Sequence, residues 1–477
     1  MQNAPSIKKN FAYKSALTLS TYVMSFITFP YVSRVLGVER LGLVNFVDNT
    51  VNYFLLFATL GVGLLGVREI AGAKSDMERQ SKIFSNILGM NLLFTILTLT
   101  AYVAAIFLVP RFHQSSELFF IGTAKILFTA FLVEWFFTGI ENFKYITIRS
   151  LLVKLLYVLA VFLFVKTSDD YKLYFILTVG VVVVNATINM VYVRRFVSIS
   201  FADLFKVRYI KQNMVLGIYT IMTSMYITFN VMFLGLVSND TEVGYYTTAF
   251  KLYSVILGFF TAFTNVMLPR MSSLLANGEK DRFNDLIAKS FSAMFTFIIP
   301  LVLCSMVMAP QIIYVLSGPG YEGAILPMRI IMPAAIFVGI AQVLAVQVIM
   351  PMKHDKVLLL ASLIGATVSL IINICVVSQL QSVGSAIVLL SAEMVVTVTY
   401  IIYYALKVRI FNFPISKIVH SILLSSPCCI ICFLCASYIE RPYVSLLCSI
   451  ILSCFVLCFF YRKDILKILN KIKFNNE

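Results

Sequence analysis

Tryptophan is almost missing from this chain, with a single residue among 477. Charge is scarce as well: Asp, Glu, Lys and Arg make up 13%, against about 25% in a soluble globular chain. That shortage excludes a water-solvated surface of ordinary kind. Histidine is down to 3 residues. They are His113, His354 and His420, scattered in loops and span ends, so no metal-binding or acid–base constellation is expected. A Walker-type phosphate loop is absent, which argues against direct use of ATP. GPGYEG at 318–323 is better explained as a turn between two spans. A cleavable leader is not expected either. Residues 1–10 are polar and carry Lys8 and Lys9, and the first apolar span is too long for a signal core, so it should remain as the first membrane helix. The outer loops are short, which leaves no room for the external catalytic domain of a glycan polymerase or ligase. With so little tryptophan, Tyr and Phe must supply the interfacial belts.

What the chain does contain is apolar sequence. Hydrophobic residues reach 60% and the mean hydropathy is +0.92. The bilayer must be the solvent. Apolar stretches of roughly 20 residues recur about fourteen times. The expected fold class is therefore an all-α polytopic membrane protein. The net charge of +16 sits in short loops between the spans. The positive-inside rule accounts for it better than a nucleic-acid partner, and places both termini in the cytoplasm. The longest inner connection, 194–212, alternates basic and apolar residues and predicts a short amphipathic surface helix.

A block of sequence occurs twice. Residues 36–68, shifted by 202 positions without gaps, bring Gly42 onto Gly244, Leu55 onto Leu257, Phe57 onto Phe259, Thr59 onto Thr261 and Arg68 onto Arg270. Such duplication marks a transporter with two rocking halves. An even number of spans per copy makes both halves enter the membrane in one direction, so the relating axis should run along the membrane normal. The expected organisation is an N-lobe at 1–205, a C-lobe at 206–408, each of about six helices, and a two-helix addition with a basic tail at 409–477.

Polar residues interrupt these spans. Asn45, Asp48, Asn49 and Asn52 follow an i, i+3, i+4, i+7 spacing and share one helical face. The repeat maps them onto Thr247, Phe250, Lys251 and Ser254. Lys14, Thr18, Thr21 and Ser25 form a second stripe, answered by Thr220, Thr223 and Asn230. Further intramembrane charges are Lys125, Glu134, Lys154, Arg329 and Glu393. A charge costs at least ~2.5–3.5 kcal/mol at a helix centre, so it marks a cavity or a partner. The expected cavity residues are Lys14, Asn45, Asp48, Asn49, Asn52, Lys125, Lys154, Lys251 and Ser254. Asp48 and Lys251 are expected to pair across the axis as a gate. Asp48, Glu134 and Glu393 are candidates for proton or ion coupling. No catalytic residue and no metal or other cofactor is expected. Seven of the nine cysteines lie between Cys428 and Cys458. Cys428, Cys429, Cys432 and Cys435 imitate a ligand spacing, but inside an apolar run they are expected to pack as small hydrophobes.

Several stretches match a known pattern: FPYVSRVLGVERLGLVNF at 29–46, NYF at 52–54, GVREIA at 66–71, VGYYTTAFKL at 243–252, LPRMSSL at 268–274, LSGPGYEGA at 316–324, Met350-Pro351 followed by Lys353, and VGSAIVLLSAE at 383–393. Together they resemble the polysaccharide repeat-unit (O-antigen and capsule) flippases of the multidrug/oligosaccharidyl-lipid/polysaccharide exporter superfamily. The resemblance covers about the first 400 residues. It implies a bacterial inner-membrane flippase moving undecaprenyl-pyrophosphate-linked glycan to the periplasmic leaflet by alternating access. Implied partners are that glycan, membrane lipids, polysaccharide polymerase machinery, and H⁺ or Na⁺. Alternatives in the same superfamily are a cation-coupled multidrug exporter, whose cavity should be acidic, and a lipid II flippase. The resemblance also implies cationic residues at the lobe interface, for which Lys14, Lys125, Lys154 and Lys251 are candidates. They are Lys and not Arg, which argues against bidentate phosphate clamping.

Overall fold

The computed structural model describes residues 7–73, 76–200, 207–408, 415–460 and 462, and among these the regular structure is entirely helical. In chain order the helices are α1 (Ile7–Thr59), α2 (Val62–Gly72), α3 (Met77–Leu108), α4 (Pro110–Gln114), α5 (Ser116–Thr129), α6 (Glu134–Gly139), α7 (Phe143–Phe164), α8 (Tyr171–Val193), α9 (Val207–Ser224) and α10 (Thr228–Val237). They continue as α11 (Asp240–Ala276), α12 (Lys280–Val307), α13 (Ala309–Ser317), α14 (Ile325–Ile331), α15 (Ala334–Gln342), α16 (Asp355–Ile372), α17 (Ser378–Tyr403), α18 (Ile415–Tyr438) and α19 (Pro442–Phe460).

Among the described residues, 11 helical stretches are long and apolar enough to cross a bilayer. Two of them are too long for one crossing. α1 has 53 residues, or about 80 Å at 1.5 Å per residue, against about 30 Å of hydrocarbon. It is divided at Gly37, whose φ of 74° and ψ of 170° leave the helical region. Glycine takes such a φ without a Cβ penalty. The segment before Gly37 lies along α7 in parallel register. Thr147 Oγ1 donates to Tyr13 O, Lys154 Nζ to Thr21 Oγ1 and Tyr31 Oη to Val165 O, at a separation of 133 or 134 positions each time. The stretch Asp355–Val408 is likewise divided at Gln381, with φ 49° and ψ −123°. α9 and α10 together make one further, interrupted crossing. Counted in this way, the crossings among the described residues come to about fourteen.

Both copies interrupt a helix at the same offset, but only the first leaves helical φ/ψ: Val133 is left-handed, whereas Met332 and Pro333 keep right-handed helical angles. The break between α5 and α6 begins at Ala130, and that between α14 and α15 begins at Met332. These positions stand 202 residues apart, the same offset as the sequence repeat.

The chain forms two compact units, Met1–Thr247 with Ser362–Val388, and Thr248–Ala361 with Leu389–Glu477. The first holds an aromatic core of Phe84, Trp135, Phe136 and Phe137, closed by Val193 and Val197. In the second, α12 packs against α18, with Phe291, Phe295 and Ile298 fully buried. Cys428 and Cys432 of α18 are buried against Ser453 of α19, where they fill space as small apolar side chains. On α7, Leu152, Leu155, Leu156, Leu159 and Leu163 are all exposed. A leucine face of that spacing is stable only against lipid.

The amphipathic helix expected over 194–212 does not form over residues 194–200, which are turn and extended chain. Their backbone is taken up elsewhere: Ser198 N–H donates to Ser81 Oγ and Ser200 N–H to Ser85 Oγ, while Phe196 and Val197 join the aromatic core. Residues 201–206 lie outside the described part.

Candidate functional site

The site grows from a helix crossing. Past Gly37, α1 meets the first turns of α11 at Gly42 and Gly244. A Cβ on Gly42 would lie 1.8 Å from Asp240 O, and one on Gly244 would lie 2.4 Å from Val38 O. The contact is reciprocal, because 38 and 240, like 42 and 244, are repeat equivalents. Reciprocity of that kind is what a twofold axis imposes. One turn further, Asn45 Nδ2 donates to Thr247 Oγ1 at 2.9 Å, again across 202 positions. Equivalent residues of the two copies of the block therefore touch.

Beside the crossing lies a latch that sequence reasoning missed. Arg111 of α4 pairs with Asp240 Oδ1 and donates from Nε to Gly235 O at 3.1 Å. Its guanidinium also rests 5.3 Å from the Phe46 ring centroid. Glu242 Oε2 accepts from the N–H of Ser382 at 3.1 Å and from its hydroxyl. A lone arginine in VPRFHQ, on the side that the charge bias leaves poor in cations, was the available signal.

Along α1 the polar stripe continues inward. Asp48 Oδ1 accepts from Lys125 Nζ at 2.5 Å, and Asp48 Oδ2 from Asn52 Nδ2 at 3.1 Å. Both carboxylate oxygens are thus engaged within the first unit, where α5 packs directly on α1 and brings Lys125 within reach. Asn49 does not turn to a partner helix. Its Nδ2 donates back to Asn45 O at 2.9 Å.

Glu134 opens α6 and accepts from Arg149 Nη2 at 2.5 Å. Arg149 is a buried residue of α7 at 5% exposure. Asn185 O and Ser150 Oγ accept its remaining Nη donors. Lys154 donates to Thr21 Oγ1 at 2.6 Å, so it stands against the hydroxyl stripe of the first segment of α1. The side chain of Lys14 lies outside the described residues.

Lys251, Ser254 and Glu393 belong to the second unit. Ser254 Oγ donates to Lys251 O at 2.6 Å, a bond within α11. Glu393 of α17 is buried and accepts from Tyr253 Oη at 3.2 Å. Tyr253 stands on α11 between Lys251 and Ser254 in sequence, so a change at Glu393 reaches the helix that carries both.

Buried charges are retained only when paired or hydrogen-bonded. Here each acid has a donor. Among the described residues there is no group of three or more His, Cys, Asp or Glu able to hold a metal ion.

Comparisons with known proteins agree in direction. A family model described as "Polysaccharide biosynthesis protein" matches residues 7–275. The chain is 26% identical over 412 residues to a protein of Escherichia coli (strain K12) named "Putative O-antigen transporter", covering 83% of this chain and 96% of that protein. A protein of the same name from Shigella dysenteriae is 24% identical over 398 residues, covering 82% and 98%. In fold, the chain is similar to the lipid II flippase MurJ in an inward closed conformation, with a TM-score of 0.76 at 15% identity, over 95% of this chain and 99% of that one. It is also similar to an inward-facing MATE family multidrug resistance transporter of the MOP superfamily, with a TM-score of 0.57 at 12% identity, over 87% and 98%.

Proposed function

The chain belongs to the polysaccharide biosynthesis protein family, and from that premise we propose that it is a flippase for lipid-linked oligosaccharide repeat units. The cargo is an undecaprenyl-pyrophosphate-linked glycan carried from the cytoplasmic to the periplasmic leaflet of a bacterial inner membrane, for O-antigen or capsule assembly. Relatives named for O-antigen transport support this reading. The multidrug and lipid II alternatives rest on likeness of fold alone. The protein is a transporter and not an enzyme in this reading, with both termini in the cytoplasm.

The observation that carries the proposal is the Lys125–Asp48 pair, set 2.5 Å apart among apolar helices. A pyrophosphate head group cannot cross about 30 Å of hydrocarbon with its water shell. Lys125 supplies a charge-assisted replacement for that water, with Lys154 as a second cation of the same unit and Lys251 as the candidate cation of the second unit. As the anion takes Lys125, Asp48 is released and becomes available to a coupling proton or sodium ion, with Glu134 and Glu393 as the other carboxylates for that purpose. Two lobes, 1–205 and 206–408, rock about the Gly42–Gly244 crossing, and the polyprenyl tail stays in lipid between them. An inside-negative potential assists, at about 2.3 kcal/mol per charge per 100 mV for an anion moving outward.

The test is deletion of the gene followed by leaflet-resolved analysis of lipid-linked glycans. The expected result is accumulation of one such glycan, facing the cytoplasm, and loss of the surface polymer. Normal surface polysaccharide in the deletion strain, with no accumulated intermediate, would remove the proposal.

A further inference from the structure

Two helices of the first unit are broken opposite each other. α1 stops at Thr59 and α2 starts at Val62, with Leu60 at a φ of 38° between them. α5 stops at Thr129 and α6 starts at Glu134, with Val133 at φ 38° and ψ 30°. Neither break contains proline. Both open on one cavity of about 430 Å³, which the Asp48–Lys125 pair does not line. Backbone irregularity inside a membrane is tolerated where it lines a water-filled or ligand cavity.

The polar groups facing this cavity are few and specific. Asn91 of α3 lines it while only 3% exposed. Its Nδ2 reaches Ala130 O at 3.4 Å, but its Oδ1 has no hydrogen-bond partner. A buried amide oxygen left open in this way costs about 1–3 kcal/mol, and a ligand donor would recover it. Glu134 gives Oε1 to Arg149, and among the described residues nothing is bonded to its Oε2. Thr138 adds a hydroxyl, and the first turn of α2 adds backbone N–H groups for which Gly61 provides no side-chain cap. The lining also includes the apolar Leu64, Val67 and Leu132.

This chemistry selects its ligand. Glu134 is already neutralised by Arg149, so the cavity offers no net charge to a cationic drug or a phosphate. Among the described residues no group of three or more His, Cys, Asp or Glu is placed to hold a metal ion here. The volume falls in the range of small-molecule sites, about 300–1,000 Å³. Donors and acceptors interspersed with aliphatic side chains match a neutral pyranose, with hydroxyls around its rim and C–H groups on its face. We propose that the cavity is a sugar-binding subsite, which holds a neutral monosaccharide unit of the transported glycan while the pyrophosphate sits at Lys125. Lys125 precedes Thr129, at the cavity edge, by one turn of α5, about 6 Å. Head group and sugar would thus be read by consecutive turns of the same helix.

The inference rests on the flippase reading, and the chain carries its own reporter. Trp135, the single tryptophan, lines the cavity. Purified full-length protein in lipid nanodiscs is titrated with the free oligosaccharide, released from its lipid carrier by mild acid, and separately with inorganic pyrophosphate. The expected result is a saturable change in tryptophan emission with the free glycan and none with pyrophosphate. Asn91→Ala and Thr138→Val should each weaken glycan binding roughly tenfold, with unchanged melting temperature in at least one of them. The proposal is overturned by the absence of a saturable response up to millimolar glycan, by an equal response to pyrophosphate, or by wild-type affinity in both variants. A parallel assay of intact lipid-linked glycan crossing in proteoliposomes separates the two levels. Crossing without glycan binding removes the subsite and leaves the flippase. No crossing removes the flippase reading itself.

Discussion

The helix that follows Gly37 and its repeat counterpart α11 began as the same sequence and now differ in a telling way. Both keep glycine at the crossing, Gly42 and Gly244, and both keep a hydrogen-bonding residue one turn on, Asn45 and Thr247. Further along they diverge. The first copy carries Asp48 where the second has Phe250, and Asn49 where the second has Lys251. The first also breaks at Leu60 and Gly61, whereas α11 runs unbroken through the equivalent Ala262 and Phe263. Positions that touch their own equivalent across the axis cannot change freely, since each change meets its partner. Positions facing cargo are under no such symmetry, because the cargo has none.

The largest effect should come from breaking what the copies share. Gly42→Ala puts a methyl 1.8 Å from a carbonyl oxygen, and Gly244→Ala puts one 2.4 Å from another. Neither neighbour is a flexible side chain. Each variant should lose about 3 kcal/mol or more, at or above the usual ceiling for overpacking, and surface polysaccharide should disappear in both. Melting of the purified proteins checks the first statement and surface-polymer blotting the second. A tolerated alanine at one position but not the other would show that the crossing is not reciprocal.

Next in size are the changes to what only the first copy has. Asp48→Ala strands Lys125, and Lys125→Ala strands Asp48. Removing one partner of a buried pair costs about 3–5 kcal/mol. The side chains here keep 11% and 25% exposure, so a loss nearer ~2 kcal/mol is expected. The double variant should recover most of that stability and still fail to export, because the cationic group for the head group is gone. Recovered export in the double variant would reduce the pair to structural glue. A smaller effect is expected at Lys251→Asn, which installs in α11 the residue found at Asn49. Export should fall several-fold with membrane insertion intact, and unchanged export would show that the second copy contributes no charge to the path.

How much of this was legible beforehand follows the same division. The crossing is written in the sequence because duplication makes residue 42 and residue 244 alike, and an axis brings like residues together. The stripe of Asn45, Asp48 and Asn52 was legible from helical spacing. The partner of Asp48 was not, since spacing along one helix carries no information on which neighbour packs against it. The burial of Arg149 was not legible either. Near the end of an apolar run, a solvated arginine and a buried one look the same until Glu134 is placed beside it. The breaks at Leu60 and Val133 had no signal at all. Leucine is a good helix former and valine a tolerable one, and only tertiary packing holds them at positive φ.

The smallest expected effect concerns the one irregularity that the copies do share. The interruptions at Ala130 and Met332 fall in register, yet AFLV at 130–133 and MPAA at 332–335 are identical at no aligned position. The first is held by a left-handed Val133, the second contains Pro333. If local chemistry made these breaks, Pro333→Ala would mend the second, because alanine restores an N–H able to reach Arg329 O and removes a helix penalty of about 3 kcal/mol. If packing made them, the substitution should change stability by less than ~1 kcal/mol, since the chain on either side is already committed. The common register with unrelated residues favours packing. Val133→Gly should be similarly mild, because relief of about 1–3 kcal/mol of left-handed strain offsets the loss of about 1.5–3 kcal/mol of buried valine. Hydrogen exchange at the amides of Ala334 and Ala335, with melting of both variants, decides the matter. New protection there, or a gain in stability near the full proline penalty, would mean that each copy arrived at its break independently.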